Sequence, residues 1–127
     1  VRLRLTDDMP TADDLRDIAL SLPSTEERLT WGSHPTFRVR DKIFAMLSED
    51  GLSASINATL AEQAALIATA PETFGVASHV GRYGWVTVQL AGVEPDHLHE
   101  LLVEAWRQTA PKRLAAGYDA RAERSSA

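Results

Sequence analysis

Apolar residues recur every three or four positions in three segments of the chain, which is the spacing of an amphipathic helix. The first segment follows the capping residue Thr11, and the second opens with Thr59 and Glu62 in the order of a capping box. The third begins at Pro95, a residue type favoured in the first turn of a helix. The pattern therefore predicts helices over about residues 12–22, 60–70 and 96–109. In the second helix the residues expected to face the core are Leu60, Ala64, Ile67 and Ala68.

After the first helix the spacing changes to an alternation of apolar and polar residues, which is typical of strands with one buried face. Between Thr36 and Arg40, for example, Phe37 and Val39 share one face. Asp50-Gly51 indicates a hairpin, because this pair readily adopts the positive φ angles of tight hairpin turns. The alternation predicts strands over about residues 26–31, 36–40, 43–48, 52–56, 74–80 and 85–90.

The order of these elements predicts an α+β fold in two layers, with an antiparallel meander sheet packed against helices. Residues 43–47 are apolar at every position, which indicates a strand at the centre of the sheet. A chain of 127 residues is long enough for one domain with its own core. We therefore expect a single domain over residues 1–127, with peripheral tails over about 1–10 and 118–127, of which the polar residues 121–127 are expected to fray.

Composition narrows the class of protein further. The chain is 44% hydrophobic and 24% charged, as in an ordinary soluble protein, and it lacks the apolar run of roughly 20 residues that spans a bilayer. With no signal-peptide pattern, a cytoplasmic protein without membrane attachment is expected. The absence of cysteine excludes disulfides, thiolate metal sites and cysteine nucleophiles. A net charge of −5 argues against broad electrostatic attraction to nucleic acid, although it permits a local basic patch.

Signatures of catalysis are missing from the sequence. It contains no nucleophile elbow, zinc-protease motif, phosphate-binding loop or dinucleotide fingerprint. His97 and His99 are two residues apart on a predicted helix, so they point about 200° apart and cannot chelate one ion. We therefore predict a non-enzymatic binding protein and assign no catalytic residue, metal site or cofactor, while a catalytic site assembled from distant residues stays open as an alternative.

Aromatic rings and hydrogen-bond donors gather in two stretches, Thr30–Phe44 and His79–Trp85. Such side chains suit anions, planar ligands or nucleic-acid bases. We expect the sheet face and the loop His79–Trp85 to form a pocket for a small molecule or a protein partner. The residues predicted to bind this ligand are Trp31, His34, Arg38, Lys42, His79, Tyr83 and Trp85. A structural explanation stays open for each ring, since tryptophans often belong to the core and His79 can be a satisfied core histidine.

The alternative prediction is weak DNA binding through a local basic patch. From residue 28 to residue 42 there are four positive residues and one negative residue, Asp41, for a net charge of +3. Four cations release at most about four counterions, which predicts weak binding with a modest dependence on salt. The residues predicted to bind nucleic acid also include Lys112 and Arg113, two cations expected at the C-terminal end of the third helix, where positive charge is favoured. The residues predicted to contact nucleic acid are Arg28, Arg38, Arg40, Lys42, Lys112 and Arg113. Both a monomer and a dimer are compatible with the sequence.

Four motifs in order, between about Leu20 and Leu114, resemble the MmcQ/YjbR family. The motifs are Trp31-Gly32 with Pro35, the segment Phe37–Phe44, the segment His79–Val86, and the segment Trp106–Leu114. The resemblance implies a two-layer, double-wing α+β fold, similar to the frataxin-like and secretion-chaperone folds. Members are often labelled DNA-binding proteins, but no common biochemical activity is established for the family.

At two positions this chain differs from the pattern of the family that it resembles. Many relatives have glycine where this chain has Asp41, and an aromatic residue where it has Val80. The resemblance therefore says least about the turn at Asp41 and about the pocket wall at Val80.

Overall fold

A computed structural model describes residues 9–30 and 34–126 of the chain. The α-helices in this part are α1 (Ala12–Ser21), α2 (Leu60–Thr69), α3 (Pro95–Thr109) and α4 (Lys112–Ser126). The strands are β1 (Thr25–Thr30), β2 (His34–Val39), β3 (Lys42–Leu47), β4 (Ser53–Ile56), β5 (Phe74–Val76) and β6 (Val86–Gln89). Three of the four helices and five of the six strands lie close to the predicted ranges, of which position 31 is outside the described residues. The strand predicted over residues 74–80 is wrong after Val76, because residues 78–80 form a turn with a positive φ angle at His79.

The six strands form one sheet in the order β1-β2-β3-β4-β6-β5, and every neighbouring pair is antiparallel. The first four strands are a meander, whereas β6 lies between β4 and β5. The predicted α+β class with an antiparallel sheet is therefore confirmed.

The turn between β2 and β3 has two residues, Arg40 and Asp41, between the paired residues Val39 and Lys42. Their φ angles are +52° and +70°. Two positive φ angles in a two-residue hairpin loop are the requirement of a type I′ turn, which favours glycine or asparagine. Asp41 therefore occupies a position whose φ angle favours glycine or asparagine.

A β-bulge in β3 places two consecutive residues in the core. Phe37 pairs with Ala45 and Arg38 pairs with Ile43, so Phe44 is the extra residue on β3. Both Phe44 and Ala45 are fully buried. The continuous apolar run at 43–47 reflects this bulge, because the bulge interrupts the alternation of faces.

The helices cover one face of the sheet. Leu15 and Ala19 of α1 are fully buried, and α3 contributes Trp106, whose indole Nε1 donates a hydrogen bond to the carbonyl of Pro23 over 3.0 Å. The opposite face, here called the open face, carries cross-strand neighbours with polar or partly exposed side chains. These neighbours are Thr36, Met46, Ser55 and Thr87 on β2, β3, β4 and β6. An antiparallel sheet tolerates one such solvated face.

Helix α4 was not predicted from the sequence. The apolar spacing predicts that the last helix ends near residue 109, with Lys112 and Arg113 at its C-terminal end. In the structure these two residues form the first turn of α4. Tyr118 of α4 packs against Trp106 with ring centroids 5.2 Å apart, and Asp119 accepts a hydrogen bond from Arg107 over 2.7 Å. In the described part of the chain, no helix has the length and apolar character needed to cross a bilayer.

Candidate ligand-binding site

A cavity of about 640 Å³ lies between the open face and the loop that follows β5. Its lining includes His34, the first residue of β2, and His79, in the loop between β5 and β6. Ligand pockets for small molecules commonly have volumes of about 300–1,000 Å³. The fold therefore brings two imidazoles from separate parts of the chain to a cavity of ligand size.

His34 is oriented by the neighbouring strand. Its Nδ1 lies 3.4 Å from the carbonyl oxygen of Leu47 on β3. Because a carbonyl oxygen only accepts hydrogen bonds, a hydrogen bond over this contact requires a proton on Nδ1, and it leaves Nε2 for a ligand. His34 can thus offer an acceptor when neutral and a donor when protonated.

His79 occupies a strained turn. Its φ is +67°, and the N–H of Val80 donates to the carbonyl of Ser78 over 2.7 Å, which closes a three-residue γ-turn. A γ-turn with positive φ is rare and strained in L-residues. The turn presents an exposed imidazole at the cavity. Strain of this kind is often retained at functional sites, where the surrounding structure holds it.

Gln63 of α2 holds this loop in place. Its side chain is 8% exposed, and its Nε2 donates to the carbonyls of Gly81 and Trp85 over 2.8 and 2.7 Å. The sequence pattern does not predict this role for Gln63. The buried side of α2 consists of Gln63, Leu66 and Ile67, whereas Leu60, Ala64 and Ala68 are exposed, so the predicted buried face was wrong at those three positions.

Serines and apolar residues complete the lining. The hydroxyl-bearing residues are Ser48, Ser53, Ser55 and Ser78. Met46 and Val80 are partly buried apolar residues of the wall, and Leu47 and Ala54 also border the cavity. The position that departs from the family pattern, Val80, is therefore part of the cavity wall. The alternation of β4 placed Ser53 and Ser55 on a polar face, but nothing in the sequence marked that face as a site.

The other residues predicted to bind a ligand lie in varied positions. Trp31 is outside the described residues. Tyr83 is 61% exposed and lies under the guanidinium of Arg82, which is 4.9 Å from the ring centroid and donates to the Tyr83 hydroxyl over 2.9 Å. Trp85 is partly exposed, and its carbonyl accepts the hydrogen bond from Gln63 described above.

Arg38 and Lys42 are farther along the sheet. Arg38 is partly buried on β2, where its Nε donates to the hydroxyl of Thr36 over 3.2 Å. Lys42 is exposed at the start of β3, beside the hairpin turn. The described lining of the cavity includes neither residue, so their contribution to ligand binding stays a prediction.

The basic patch contains a neutralised arginine. Arg28 donates from Nε and Nη2 to the carboxylate of Glu26 over 3.2 and 3.0 Å, and from Nη2 to Asp41 over 3.0 Å. The hydrogen bond and charge of Glu26, reinforced by Asp41, raise the pKa of Arg28. One cation beside two carboxylates has a local net charge of −1, so Arg28 adds little positive potential.

The remaining exposed cations come from two different parts of the chain. Arg40 and Lys42 are exposed at the β2–β3 turn, whereas Lys112 and Arg113 are exposed in the first turn of α4. The contact of Tyr118 with Trp106 places α4 in the helical layer. The predicted nucleic-acid residues are thus divided between the sheet and the helical layer.

Metal binding has little geometric support in the described residues. No group of three or more histidine, aspartate or glutamate side chains is placed to hold an ion in residues 9–30 and 34–126. His97 packs its ring against Phe74, with centroids 5.6 Å apart, and His99 is exposed on α3. These two histidines have positions expected of ordinary helix residues.

Comparisons with known proteins identify the family. The YjbR family model matches residues 20–108. Uncharacterized proteins of Mycobacterium bovis and Mycobacterium tuberculosis are 29% identical over 124 residues, which covers 87% of this chain and 96% of theirs. The crystal structure of Deinococcus radiodurans protein DR2400, with a DUF419 domain, has a TM-score of 0.73 and 26% identity, covering 81% of this chain and 80% of that one. The chain belongs to the YjbR family.

Proposed function

We propose that this protein binds a small molecule in the cavity between the open face and the β5–β6 loop. The observation that carries the proposal is the meeting of His34 and His79 at one cavity of about 640 Å³. A small-molecule site usually consists of a partly apolar wall with a small number of polar groups that converge on the ligand. The strained turn at His79 and its support by Gln63 add to this argument, because both fix one wall of the cavity.

DNA binding is the weaker alternative. Arg40 and Lys42 are exposed and favour it, but Arg28 is paired with two carboxylates and the whole chain carries a net charge of −5. Small-molecule binding needs no large positive surface. The cavity therefore explains more of the observed geometry than the patch does.

The test uses N-phenyl-1-naphthylamine, an uncharged aromatic dye whose fluorescence rises in apolar surroundings. We expect saturable binding of this dye to the protein. Ser55 lies on the open face and lines the cavity, so Ser55→Trp should fill part of the space and weaken dye binding at least about tenfold.

Ala116→Trp is the matched control, because it adds the same ring at an exposed position of α4. It should leave the affinity for the dye unchanged. Dye binding that is absent, or that is equally strong in Ser55→Trp and the parent protein, would contradict the proposal.

A further inference from the structure

We infer that the natural ligand of the cavity is an anion with an apolar body, such as a carboxylate, sulfonate or phosphate attached to a hydrophobic group. This inference rests on the proposed function, since it concerns the same cavity. It is drawn from the types of group that line the cavity and from the hydrogen bonds that those groups already make.

Acidic groups are absent from the described lining, while donors are abundant. The described lining includes two histidines and four serines, and no aspartate or glutamate. A cationic ligand would need a carboxylate partner to offset its desolvation, whereas hydroxyls and imidazolium groups donate to anions. The polar part of the wall therefore favours negative charge in the ligand.

Asp50 contacts the lining residue Ser48, and its Oδ1 is held within the β3–β4 turn. Its Oδ1 accepts from the hydroxyl of Ser48 over 2.7 Å and from the backbone N–H of Leu52 over 2.9 Å. The Ser48 hydroxyl also accepts from the N–H of Ser53 over 3.2 Å, so Ser48 serves the β3–β4 turn. Donors for a ligand are thus the hydroxyls of the other three serines and the two imidazoles.

The apolar part of the wall specifies the rest of the ligand. Met46 and Val80 supply hydrocarbon and thioether surface beside the polar groups. Methionine adapts its shape to an apolar partner because it is unbranched and polarizable. A bare inorganic anion would leave this surface in contact with water, so the ligand is expected to carry a hydrophobic group.

Protonation of the imidazoles should strengthen binding of such a ligand. An imidazole that binds a proton gains a positive charge and a second N–H donor, so binding of an anion should be tighter at low pH than at high pH. The charged residues that neighbour the described lining along the chain are Arg38 on the same strand as His34, Glu49 and Asp50 in the turn after β3, and Arg82 after His79. Arginine stays protonated in this range, and the pKa of Asp50 is lowered by the hydrogen bonds from Ser48 and Leu52, so neither changes charge there.

The test compares two dyes that share one ring system. 8-Anilinonaphthalene-1-sulfonate carries a sulfonate that N-phenyl-1-naphthylamine lacks. Between about pH 8 and about pH 5.5, the affinity for the sulfonate should rise about three- to tenfold, and the affinity for the neutral dye should stay constant. Ser55→Trp should weaken binding of both dyes, which locates them in the cavity.

Variants then assign the effect to the two imidazoles. His34→Gln and His79→Asn should each reduce the pH-dependent gain in affinity for the sulfonate, while binding of the neutral dye should remain independent of pH. Asparagine is chosen at residue 79 because it tolerates a positive φ angle. His99→Gln, at an exposed position on α3, is the matched control and should keep the full gain.

Two kinds of failure are distinguishable. If the neutral dye binds in the cavity but the sulfonate gains nothing at low pH, the anion inference is wrong and the proposed function stands. If neither dye responds to Ser55→Trp, the proposed function fails, and the inference fails with it.

Discussion

The side-chain amide of Gln63 donates a hydrogen bond to the backbone carbonyl of Trp85 over 2.7 Å, and thereby joins α2 to the end of the β5–β6 loop. The same nitrogen donates to Gly81 at the start of the 3₁₀ turn in that loop. One buried amide thus fixes both ends of the segment 81–85. The position of the cavity wall depends on a residue that lies outside the cavity.

Replacing Gln63 with leucine should lower the free energy of unfolding by about 2 kcal/mol, because two carbonyls lose their donor in a buried setting. Urea denaturation checks the change. Gln108→Leu is the control, since Gln108 is exposed and its amide contacts only the accessible carboxylate of Glu62 among the described residues. Equal stability losses in the two variants would show that the Gln63 hydrogen bonds do not hold the loop.

Trp106→Ala should be strongly destabilising, by about 3–5 kcal/mol. The indole is fully buried, packs on Tyr118 and donates to Pro23, so truncation leaves a cavity and an unpaired carbonyl. Tyr83→Phe, at an exposed ring, should stay within about 0.5 kcal/mol of the parent protein. Thermal unfolding of both variants measures the contrast, and a large loss in Tyr83→Phe would show that Tyr83 has a structural role.

The strained turn at His79 predicts an unusual order of variants. Glycine adopts positive φ freely, so His79→Gly should change the stability by less than about 0.5 kcal/mol despite the flexibility of glycine. A β-branched residue is poorly suited to that conformation, so His79→Val should lose about 1–2 kcal/mol. Ser78→Val, at the preceding residue, should have little effect. If glycine and valine at residue 79 prove equally destabilising, the turn differs from the one described.

Acid should destabilise the protein in part through Glu62. The hydrogen bond from the Thr59 N–H, with a further one from Gln108, lowers the pKa of Glu62 in the folded state. A lowered folded pKa means that this stabilisation is complete above the unfolded pKa near 4.3, and disappears as the pH falls through the folded pKa. The loss of stability between about pH 5 and about pH 3 should therefore be smaller in Glu62→Gln than in the parent protein. Glu100→Gln, at an exposed position of α3, should retain the full loss.

DNA binding, if present, should be weak and sensitive to salt. At physiological salt we expect dissociation constants no tighter than the ~10⁻⁴–10⁻⁶ M of non-specific binding. Glu26→Gln should strengthen binding at low salt by removing one carboxylate from Arg28, and Arg38→Ala with Arg40→Ala should weaken it. Fluorescence anisotropy with a short labelled duplex measures these changes. A nanomolar, sequence-selective complex would favour DNA binding over the proposed function.

The periodicity of the chain predicted most of the fold, but the site required spatial information. Strands and three helices follow from alternation and from capping residues such as Thr59, which are local signals. Helix α4 was missed because its few apolar residues sit among alanines and charges, and its main anchor is the distant contact between Tyr118 and Trp106. Gln63 was missed because a polar residue on a helix is normally assigned to solvent, and only the position of the loop carbonyls reverses that assignment.

The order of the strands has a consequence for the time at which the parts of the protein assemble during synthesis. β1 to β4 are neighbours in both sequence and space, so each can pair as soon as it leaves the ribosome. β5 is different, because its sheet neighbour among the described strands, β6, is made after it. β5 can therefore join the sheet only once β6 is available, and the connection that carries His79 is anchored at both ends only then. We therefore expect the ligand cavity to be completed after β6 has paired with β4.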